Sequence, residues 1–362
     1  MAASTPRVLG DFRAKLGESP VWTDDGRLAL VDISDRSLVV LDPSTAAVVR
    51  APLPTTPGCV LRSEKGGLLV ALTVDDAAKQ PGGRIYRVAA PTAPTAPDAP
   101  DAPVADLDAF ACDVLNKNIH PKLDDDASPP MVLNDAAVDA RGRVWIGCKL
   151  LSPPPSPGSP GQPPGALFCC ESAFAFRDGA VVAMGSAQVV PEVGGVHTSN
   201  GIGWSPDGTT MYHVDSPRRR VDAYDFDVTS GLLTNPRVFA DVGPEGVPDG
   251  LCVDAEGGVW VCVWDGGKVV RYLPDAAAGE GADGHGGRPS KIEREVAFPC
   301  SRPTSACFGE GAFATTLFVT SCSLDDTVDA DAKSLSASEP TAGAVFALDV
   351  GVKGVAVHAA AF

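Results

Sequence analysis

Four residues whose side chains carry oxygen share one spacing in this sequence. They are Glu18, Asn134, Asn200 and Asp249, and each lies eight residues before a glycine. Two carboxylates and two amides form a set of hard oxygen donors that suits Ca²⁺, Mg²⁺ or Mn²⁺. Zn²⁺ is compatible through the carboxylates, although it more often takes nitrogen or sulfur. With so few protein ligands water would complete the shell, and such an open metal position can polarise a carbonyl and activate water.

Each of these residues, taken alone, has a simpler interpretation. Asn or Asp at the start of a strand is most often a turn residue that bonds to its own backbone. The common spacing favours a shared site, because turn chemistry gives no reason for a glutamate in one copy and Gly58 in another. We therefore expect the four side chains to converge. We also expect Gly58 to leave its strand without a ligand and to give room to a substrate.

The spacing arises from a repeated unit in which a glycine turn separates two apolar runs. The turn glycines are Gly26, Gly66, Gly142, Gly208 and Gly257, and a weaker sixth copy spans residues 305–322. Glycine supplies the positive φ of a tight turn, so each unit predicts a β-hairpin. Six units of about 50 residues predict an all-β fold, a six-bladed β-propeller with four-stranded antiparallel blades around a central channel. A β-sandwich, which needs fewer strands and shows no such repeat, ranks second.

The predicted propeller is a single domain that spans residues 1–362, with proline- and glycine-rich surface insertions. Proline cannot occupy a central strand, so the insertions are placed near residues 90–104, 116–130, 151–165, 274–290 and 323–340. If the strand that leads to each turn glycine is the innermost of its blade, equal spacing means equal height along the channel. The four oxygen-bearing residues would then point into one end of it.

Charge and hydropathy exclude several classes of partner. A net charge of −17 and a pI near 4.6 argue against nucleic acid and favour binding of cations. No apolar run reaches the roughly 18 residues that span a bilayer, so no membrane association is expected. The cysteines lie mostly within apolar strand-like runs, and the first residues lack a signal peptide pattern. We expect a cytoplasmic protein with reduced cysteines.

Several strings of the sequence carry a family resemblance. They are "LGESPVW" at residues 16–22, "LNDAAVDARGRVWIG" at 133–147, "SNGIGWSPDG" at 199–208 and "VPDGLCVDAEGGVWV" at 247–261. In this order they resemble the SMP-30/gluconolactonase family, and the resemblance extends from about residue 10 to the end of the chain, insertions excepted. It implies a six-bladed propeller whose central channel holds one divalent metal, with Ca²⁺ favoured, on Glu18, Asn200 and Asp249. It also implies that Asn134 contacts the substrate, a sugar lactone in well-characterised members, and that Asp249 is the catalytic base.

The sequence departs from the family pattern near the "ND" string. The family arginine two residues before Asn134 is replaced by Val132, which removes a charged donor from the side where a sugar hydroxyl would bind. Lys149 falls where the family has an uncharged residue and is a candidate for substrate binding, with an exposed lysine at a strand end as the ordinary alternative. His197, three residues before Asn200, is a second candidate, although a loop histidine is more often solvated or bonded locally.

Other polar residues are candidates for supporting roles. Asp32 and Asp215 end the second strand of their units and could support the ligands, or could be ordinary turn acids. His120 lies in an insertion that could fold over the channel or lie on the surface. The recurring tryptophans are expected to pack between blades.

Two functions follow from these expectations. The first is a divalent-metal-dependent hydrolase that acts on a lactone, such as a gluconolactone-like sugar lactone, or on a related cyclic ester. The second is a non-catalytic, calcium-binding regulatory propeller. A metal site with an open position favours the first, and the loss of the arginine at Val132 favours the second or a different substrate.

Overall fold

The computed structural model describes residues 5–74, 82–91, 108–115, 131–151, 165–177, 180–274, 290–324 and 334–361. These residues form 24 β-strands and no α-helix, with short 3-10 helices at Pro191–Val193, Ser216–Arg218, Gly311–Phe313 and Leu335–Ala337. Four of the five predicted insertions fall almost wholly outside the described residues. The fifth, at 323–340, is described in part.

The strands form six antiparallel blades. Blade 1 contains β2 (Gly17–Trp22), β3 (Leu28–Asp32), β4 (Ser37–Leu41) and β5 (Val48–Pro52). Blade 2 contains β6 (Pro57–Arg62), β7 (Leu68–Val74), β8 (Gly82–Val88) and β9 (Asp108–Leu115). Blade 3 contains β10 (Met131–Val138), β11 (Val144–Leu150), β12 (Leu167–Arg177) and β13 (Ala180–Val189). A short parallel pairing of β9 with β13 joins blades 2 and 3.

The second half of the ring repeats the arrangement. Blade 4 contains β14 (Ser199–Trp204), β15 (Thr210–Asp215), β16 (Arg220–Phe226) and β17 (Leu233–Asp241). Blade 5 contains β18 (Val247–Val253), β19 (Val259–Trp264), β20 (Lys268–Leu273) and β21 (Lys291–Ala297). Blade 6 contains β22 (Pro303–Phe308), β23 (Thr316–Ser321), β24 (Phe346–Asp349) and, as its outer strand, β1 (Arg7–Val8).

The ring closes because the first strand of the chain completes the last blade. β1 pairs with β24, while the first strands of consecutive blades, β2, β6, β10, β14, β18 and β22, contact one another all the way round. These six inner strands therefore line the central channel, and the predicted six-bladed propeller is confirmed. Each inner strand begins at one end of the channel, here called the start end, and reaches its turn glycine at the other, the turn end.

The turn glycines adopt the backbone conformation that the repeat predicts. The φ angles of Gly26 and Gly208 are +80° and +70°, a region that side chains with a Cβ rarely occupy. Beyond the turns, residues 353–361 form a C-terminal strap over the turn end. Val355 donates a backbone hydrogen bond to Val253, and Ala360 donates one to Arg62, on the opposite side of the ring.

The core lies between adjacent blades, where apolar side chains from both faces pack together. Trp145 of blade 3 contacts Trp204 and Phe226 of blade 4, with ring centroids 6.0 Å and 5.7 Å away. Trp22 of blade 1 stacks on Phe318 of blade 6 at 5.4 Å. The tryptophans thus pack between blades, as expected from their recurrence.

The expectations about membrane-spanning segments and about reduced cysteines can be compared with the structure. Within the described part of the chain, no helix has the length and apolar character that crossing a membrane requires. Cys59, Cys262 and Cys322 are buried and form no disulfide bond. Burial raises the pKa of the Cys59 and Cys262 thiols well above the usual value, which keeps both in the unreactive thiol form.

Candidate functional site

All six inner strands are irregular at the same height in the channel. Their pairing with the second strand of the blade shifts between Glu18 and Val21, Pro57 and Cys59, Leu133 and Ala136, Asn200 and Ile202, Pro248 and Leu251, and Pro303 and Ala306. A β-bulge of this kind interrupts the alternation of side chains and re-aims a residue, and bulges are frequent beside active sites. The eight-residue spacing in the sequence therefore marks six aligned bulges, and each of the four predicted site residues borders one or lies within one.

The bulges bring the four predicted residues together at the start end of the channel. The Nδ2 atom of Asn134 donates a hydrogen bond of 2.7 Å to Oδ1 of Asn200, across the boundary between blades 3 and 4. The carboxylate of Asp249 is close enough to that of Glu18 for its charge to raise the pKa of Glu18. Asn200 and Asp249 are buried, whereas Glu18 and Asn134 are half-buried.

Hydrogen bonds fix both amides in one orientation. Nδ2 of Asn200 donates to Oγ of Ser216 at 2.7 Å, and its Oδ1 accepts the bond from Asn134. Nδ2 of Asn134 donates to the backbone oxygen of Ser199 at 2.7 Å as well as to Asn200, which occupies both of its protons. Oδ1 of Asn134 accepts no hydrogen bond from any described residue. In each amide the nitrogen is thus engaged by the protein, and the oxygen retains a lone pair that can bind a metal or a donor group.

The carboxylates of the site occupy a strongly unfavourable environment for negative charge. Burial raises the pKa of Glu18 well above its usual value, and the charges of Asp249 and Asp135 raise it further. Burial and the charge of Asp135 likewise raise the pKa of Asp249. The amide of Ser19, which donates to Oε2 of Glu18 at 3.0 Å, offsets only part of this cost. A positive charge placed between these groups would stabilise their ionised forms.

The donor set fits a divalent cation. Among the residues that the structure describes, no three His, Cys, Asp or Glu side chains are grouped so as to hold a metal by themselves. Two carboxylates and Oδ1 of Asn200 nevertheless make a three-oxygen set of the type that Ca²⁺, Mg²⁺ and Mn²⁺ accept together with water. The neutral amide is therefore an essential member of the set, and its fixed orientation favours that role.

Asp32 and Asp215 perform the same structural task in blades 1 and 4. The carboxylate of Asp32 accepts hydrogen bonds from the backbone amides of Lys15 (2.9 Å) and Leu16 (3.1 Å). That of Asp215 accepts them from His197 (3.2 Å) and Thr198 (2.9 Å). In both blades the bonded amides lie three and two residues before the site residue, so each aspartate fixes the segment that leads into its bulge. Both aspartates support the segment before a predicted site residue, and Asp32 is a turn acid as well, because its Oδ1 also accepts a hydrogen bond from the backbone amide of Asp35 at 3.2 Å.

Lys149 and His197, the other two candidates for substrate binding, differ in their surroundings. Lys149 is half-buried rather than exposed, pairs in the β10–β11 ladder with Val132, and lowers the pKa of both Glu18 and Asp249 through its charge. It therefore lies within electrostatic reach of the site. His197 is buried, and its Nδ1 lies 2.8 Å from Oγ1 of Thr198, which is the locally bonded alternative. His120 lies outside the described residues.

Gly58, at the bulge of β6, has a different structural role from the one expected. A Cβ atom on Gly58 would lie 2.5 Å from the backbone oxygen of Leu133 and 2.9 Å from that of Asn134. Backbone of β10 thus fills the space beside Gly58, and the prediction that this glycine gives room to a substrate is wrong. Glycine is required here because the inner strands of blades 2 and 3 approach each other too closely for any side chain.

Sequence reasoning missed four residues of the site. Ser216 and Ser199 orient the amides, and His213 supports Ser199 through an Oγ to Nε2 contact of 2.9 Å. Burial lowers the pKa of His213 to about 3, so the imidazole is neutral. Asp135 was overlooked because it follows the more conspicuous Asn134. A charged residue within an otherwise apolar inner strand was the signal that could have revealed it.

Comparison with known proteins identifies relatives that cover most of the chain. A family model described as the SMP-30/gluconolactonase/LRE-like region matches residues 16–323. Regucalcin from Xenopus laevis is 30% identical over 345 residues, which cover 94% of this chain and 93% of that protein. Regucalcin from Homo sapiens is 28% identical over 347 residues, which cover 95% of this chain and 94% of that protein.

Solved structures share the fold. A luciferin-regenerating enzyme superposes with a TM-score of 0.69 at 22% identity, covering 99% of this chain and 100% of that chain. A regucalcin from Agrobacterium tumefaciens, described as a calcium-binding protein, superposes with a TM-score of 0.65 at 23% identity, covering 99% and 98%. These two likenesses show the fold alone. The family model over residues 16–323 and the 30% identity to the Xenopus laevis protein show that the chain belongs to the SMP-30/gluconolactonase/LRE-like family.

Proposed function

We propose that this protein is a divalent-metal-dependent hydrolase that acts on a lactone or a related cyclic ester. The observation that carries the proposal is the aligned set of oxygen donors from Glu18, Asn200 and Asp249 at one end of the channel. Family membership supports it, because the family description includes gluconolactonase. Glu18, Asn200 and Asp249 would hold the metal, with Ca²⁺ favoured because all three ligands are oxygens. When bound, the metal supplies polarisation of the ester carbonyl and activation of water.

The residues of the chain would contribute orientation and proton transfer. Hydrolysis adds water across the acyl C–O bond, so the attacking water must lose a proton and the ring oxygen must gain one. A carboxylate oxygen of Asp249 would accept the proton from water and, once protonated, would donate it to the ring oxygen as the acyl C–O bond breaks. Because a cation-bound carboxylate is a weak base, its assistance requires that the water be acidified at the same site.

The fixed amide of Asn134 determines which substrate group it can bind. Both protons of its Nδ2 already bond to Ser199 and Asn200, so only Oδ1 can face the substrate. Asn134 would therefore accept a hydrogen bond from a hydroxyl group of the lactone ring. Lys149, the cation within reach of Glu18 and Asp249, would bind a carboxylate or another electron-rich group of the substrate. His197 would act by positioning the segment before Asn200, where its backbone amide donates to Asp215.

A specific observation favours a second function, that of a calcium-binding regulatory propeller without catalysis. Val132 replaces the arginine expected beside the substrate, and several relatives are named regucalcin. Both functions use the same metal ligands, so they differ in turnover and not in metal binding.

A panel of lactones assayed with Ca²⁺, Mn²⁺, Mg²⁺ or Zn²⁺ separates the two. The hydrolase should open at least one lactone in a metal-dependent reaction that Asp249→Asn and Glu18→Gln abolish. Glu64→Gln, which removes one exposed carboxylate at the turn end, is the matched control and should retain the rate. Metal binding without turnover of any lactone would favour the regulatory function. No turnover, together with unchanged stability of Asp249→Ala in the presence of metal, would contradict both.

A further inference from the structure

A cavity lies at the turn end of the channel and is distinct from the candidate metal site. It encloses about 370 Å³, and residues from the inner strands of all six blades line it. Glu18, Asn134, Asn200 and Asp249 are not among the lining residues. Protein interiors are close-packed, and a cavity of this size is in the range of small-molecule sites. The cavity is therefore a feature that the proposed hydrolase does not use.

The walls of the cavity are mainly apolar. The wall includes one apolar residue from each of the six inner strands: Val21, Leu61, Ala137, Ile202, Val253 and Ala306. The C-terminal strap closes the outer side with Val355 and Val357. The ends of the strap are bonded to the ring, through Val355 to Val253 and through Ala360 to Arg62. Residues 356–359, between these bonds, make no backbone hydrogen bond to the described residues, so the middle of the strap is the place where a ligand could enter.

One buried carboxylate faces this apolar space. Asp135 lines the cavity and is only 9% exposed. Its one hydrogen bond among the described residues comes from the backbone amide of Ala136, at 2.8 Å to Oδ1. The other lone pairs of the Asp135 carboxylate accept no hydrogen bond from a described side chain. A buried carboxylate without a full set of donors is costly, and a ligand that supplies a donor would lower that cost.

Among the described residues that line the cavity, none forms an ion pair with Asp135. Arg62 is the basic residue of the wall whose charge is permanent, and its guanidinium is already paired with Asp24 and with Glu310, the latter at 3.1 Å. Glu18 and Asp249 add negative potential from the start end. An occupant with a positive group pointing inward is therefore favoured over a neutral or anionic one of the same shape.

We propose that the turn end of the channel is a second binding site, which takes a small apolar molecule bearing one ammonium group that bonds to Asp135. The apolar body would fill the cavity beneath the C-terminal strap. None of the residues proposed to hold the metal or the lactone lines this site. Asp135 lies between the two ends of the channel, so occupancy would also change the charge that Glu18 and Asp249 experience.

Three probes with one apolar body test the charge of the ligand. They are 1-naphthylmethylamine, 1-naphthalenemethanol and 1-naphthoate, titrated by calorimetry into the full chain in the presence of Ca²⁺. The amine should bind about tenfold or more tightly than the alcohol, because a charge-assisted hydrogen bond is worth more than a neutral one, and the carboxylate should bind most weakly. Asp135→Asn should remove the preference for the amine and retain binding of the alcohol.

Two substitutions test the location. Ala137→Phe and Ala306→Phe fill the cavity from blades 3 and 6, and each should abolish binding of the amine while the thermal stabilisation by Ca²⁺ persists. Using two blades keeps the test decisive if one variant fails to fold. Equal binding of all three probes, or binding that survives a folded cavity-filling variant, would overturn the proposal. Loss of lactonase activity plays no part in these readouts, so the two proposals fail or stand separately.

Discussion

Asn134 of blade 3 and Asn200 of blade 4 are joined by a hydrogen bond of 2.7 Å between Nδ2 and Oδ1. This bond connects the residue that would touch the substrate to one that would hold the metal, and it crosses the boundary between two blades. Asn134→Ala removes it and also leaves the backbone oxygen of Ser199 without that donor. We expect a loss of about 1 to 2 kcal/mol in the free energy of unfolding, measured with urea. An unchanged stability would mean that water replaces the amide at no cost.

The carboxylates at the start end predict a strong effect of metal on stability. Burial and mutual repulsion oppose their ionisation, and a bound cation removes that penalty. Saturating Ca²⁺ should raise the melting temperature, since a ligand that binds only the folded state stabilises it. Glu18→Gln and Asp249→Asn should lose most of this increase, and Glu64→Gln should keep it. Scanning calorimetry with Ca²⁺ and with a chelator provides the comparison, and an equal increase in all four proteins would place the metal elsewhere.

Asp135 predicts a specific pH dependence of the metal-free protein. Burial raises its pKa to about 6 from the ordinary value of 3.8. The folded state therefore binds the proton more tightly than the unfolded state, and the stability that this proton contributes is complete below about pH 4 and is lost as the pH rises through about 6. Asp135→Asn should be more stable than the parent at pH 8, by about 3 kcal/mol at most, and equal to it at pH 4. Urea unfolding in a chelator measures both, and a difference independent of pH would refute this origin.

Asp215 predicts a loss of metal affinity without any contact with the metal. Its carboxylate accepts two backbone hydrogen bonds from the segment that leads to Asn200. Asp215→Asn weakens both bonds, so the position of Asn200 should become less well defined. We expect Ca²⁺ affinity to fall about tenfold, as is usual for groups that support a metal ligand. Asp32→Asn should also lower the Ca²⁺ affinity, because Asp32 fixes the segment that leads to Glu18. Calorimetric titration with Ca²⁺ measures the affinity of both variants. Full affinity in either variant would show that the bulge alone positions its ligand.

Lys149 predicts discrimination between substrates of different charge. Lys149→Met keeps the length of the side chain and removes the cation beside Glu18 and Asp249. On the anionic glucaro-1,4-lactone, KM should rise about tenfold with little change in kcat, because a ground-state ion pair is lost. On neutral glucono-1,5-lactone, KM should change little, and Lys149→Arg should restore the anionic substrate. The same rise in KM for both lactones would indicate a structural role for Lys149.

The repeat predicted the ring and the height of the site because both depend on periodic features. Gly26 and Gly208 mark turns that only a positive φ permits, and the residues eight positions earlier fall at aligned bulges. The pattern could not reveal contacts between strands of different blades. Gly58 was misinterpreted because its constraint comes from the backbone of Leu133, 75 positions along the chain. The roles of Ser216 and Lys149 likewise depend on which neighbour each side chain meets.

The C-terminal strap also bears on the order in which the molecule forms. Its bonds join Val355 to blade 5, Ala360 to blade 2 and Ala361 to Gly142 of blade 3, so they exist only when opposite sides of the ring are in place. Contacts between such distant parts of a chain must overcome a large loop-closure entropy and form slowly. In a refolding experiment followed by pulsed hydrogen exchange, the amides of Ala360 and Ala361 should be among the last to gain protection. The protection of these two amides from hydrogen exchange would therefore report when the ring of blades has closed.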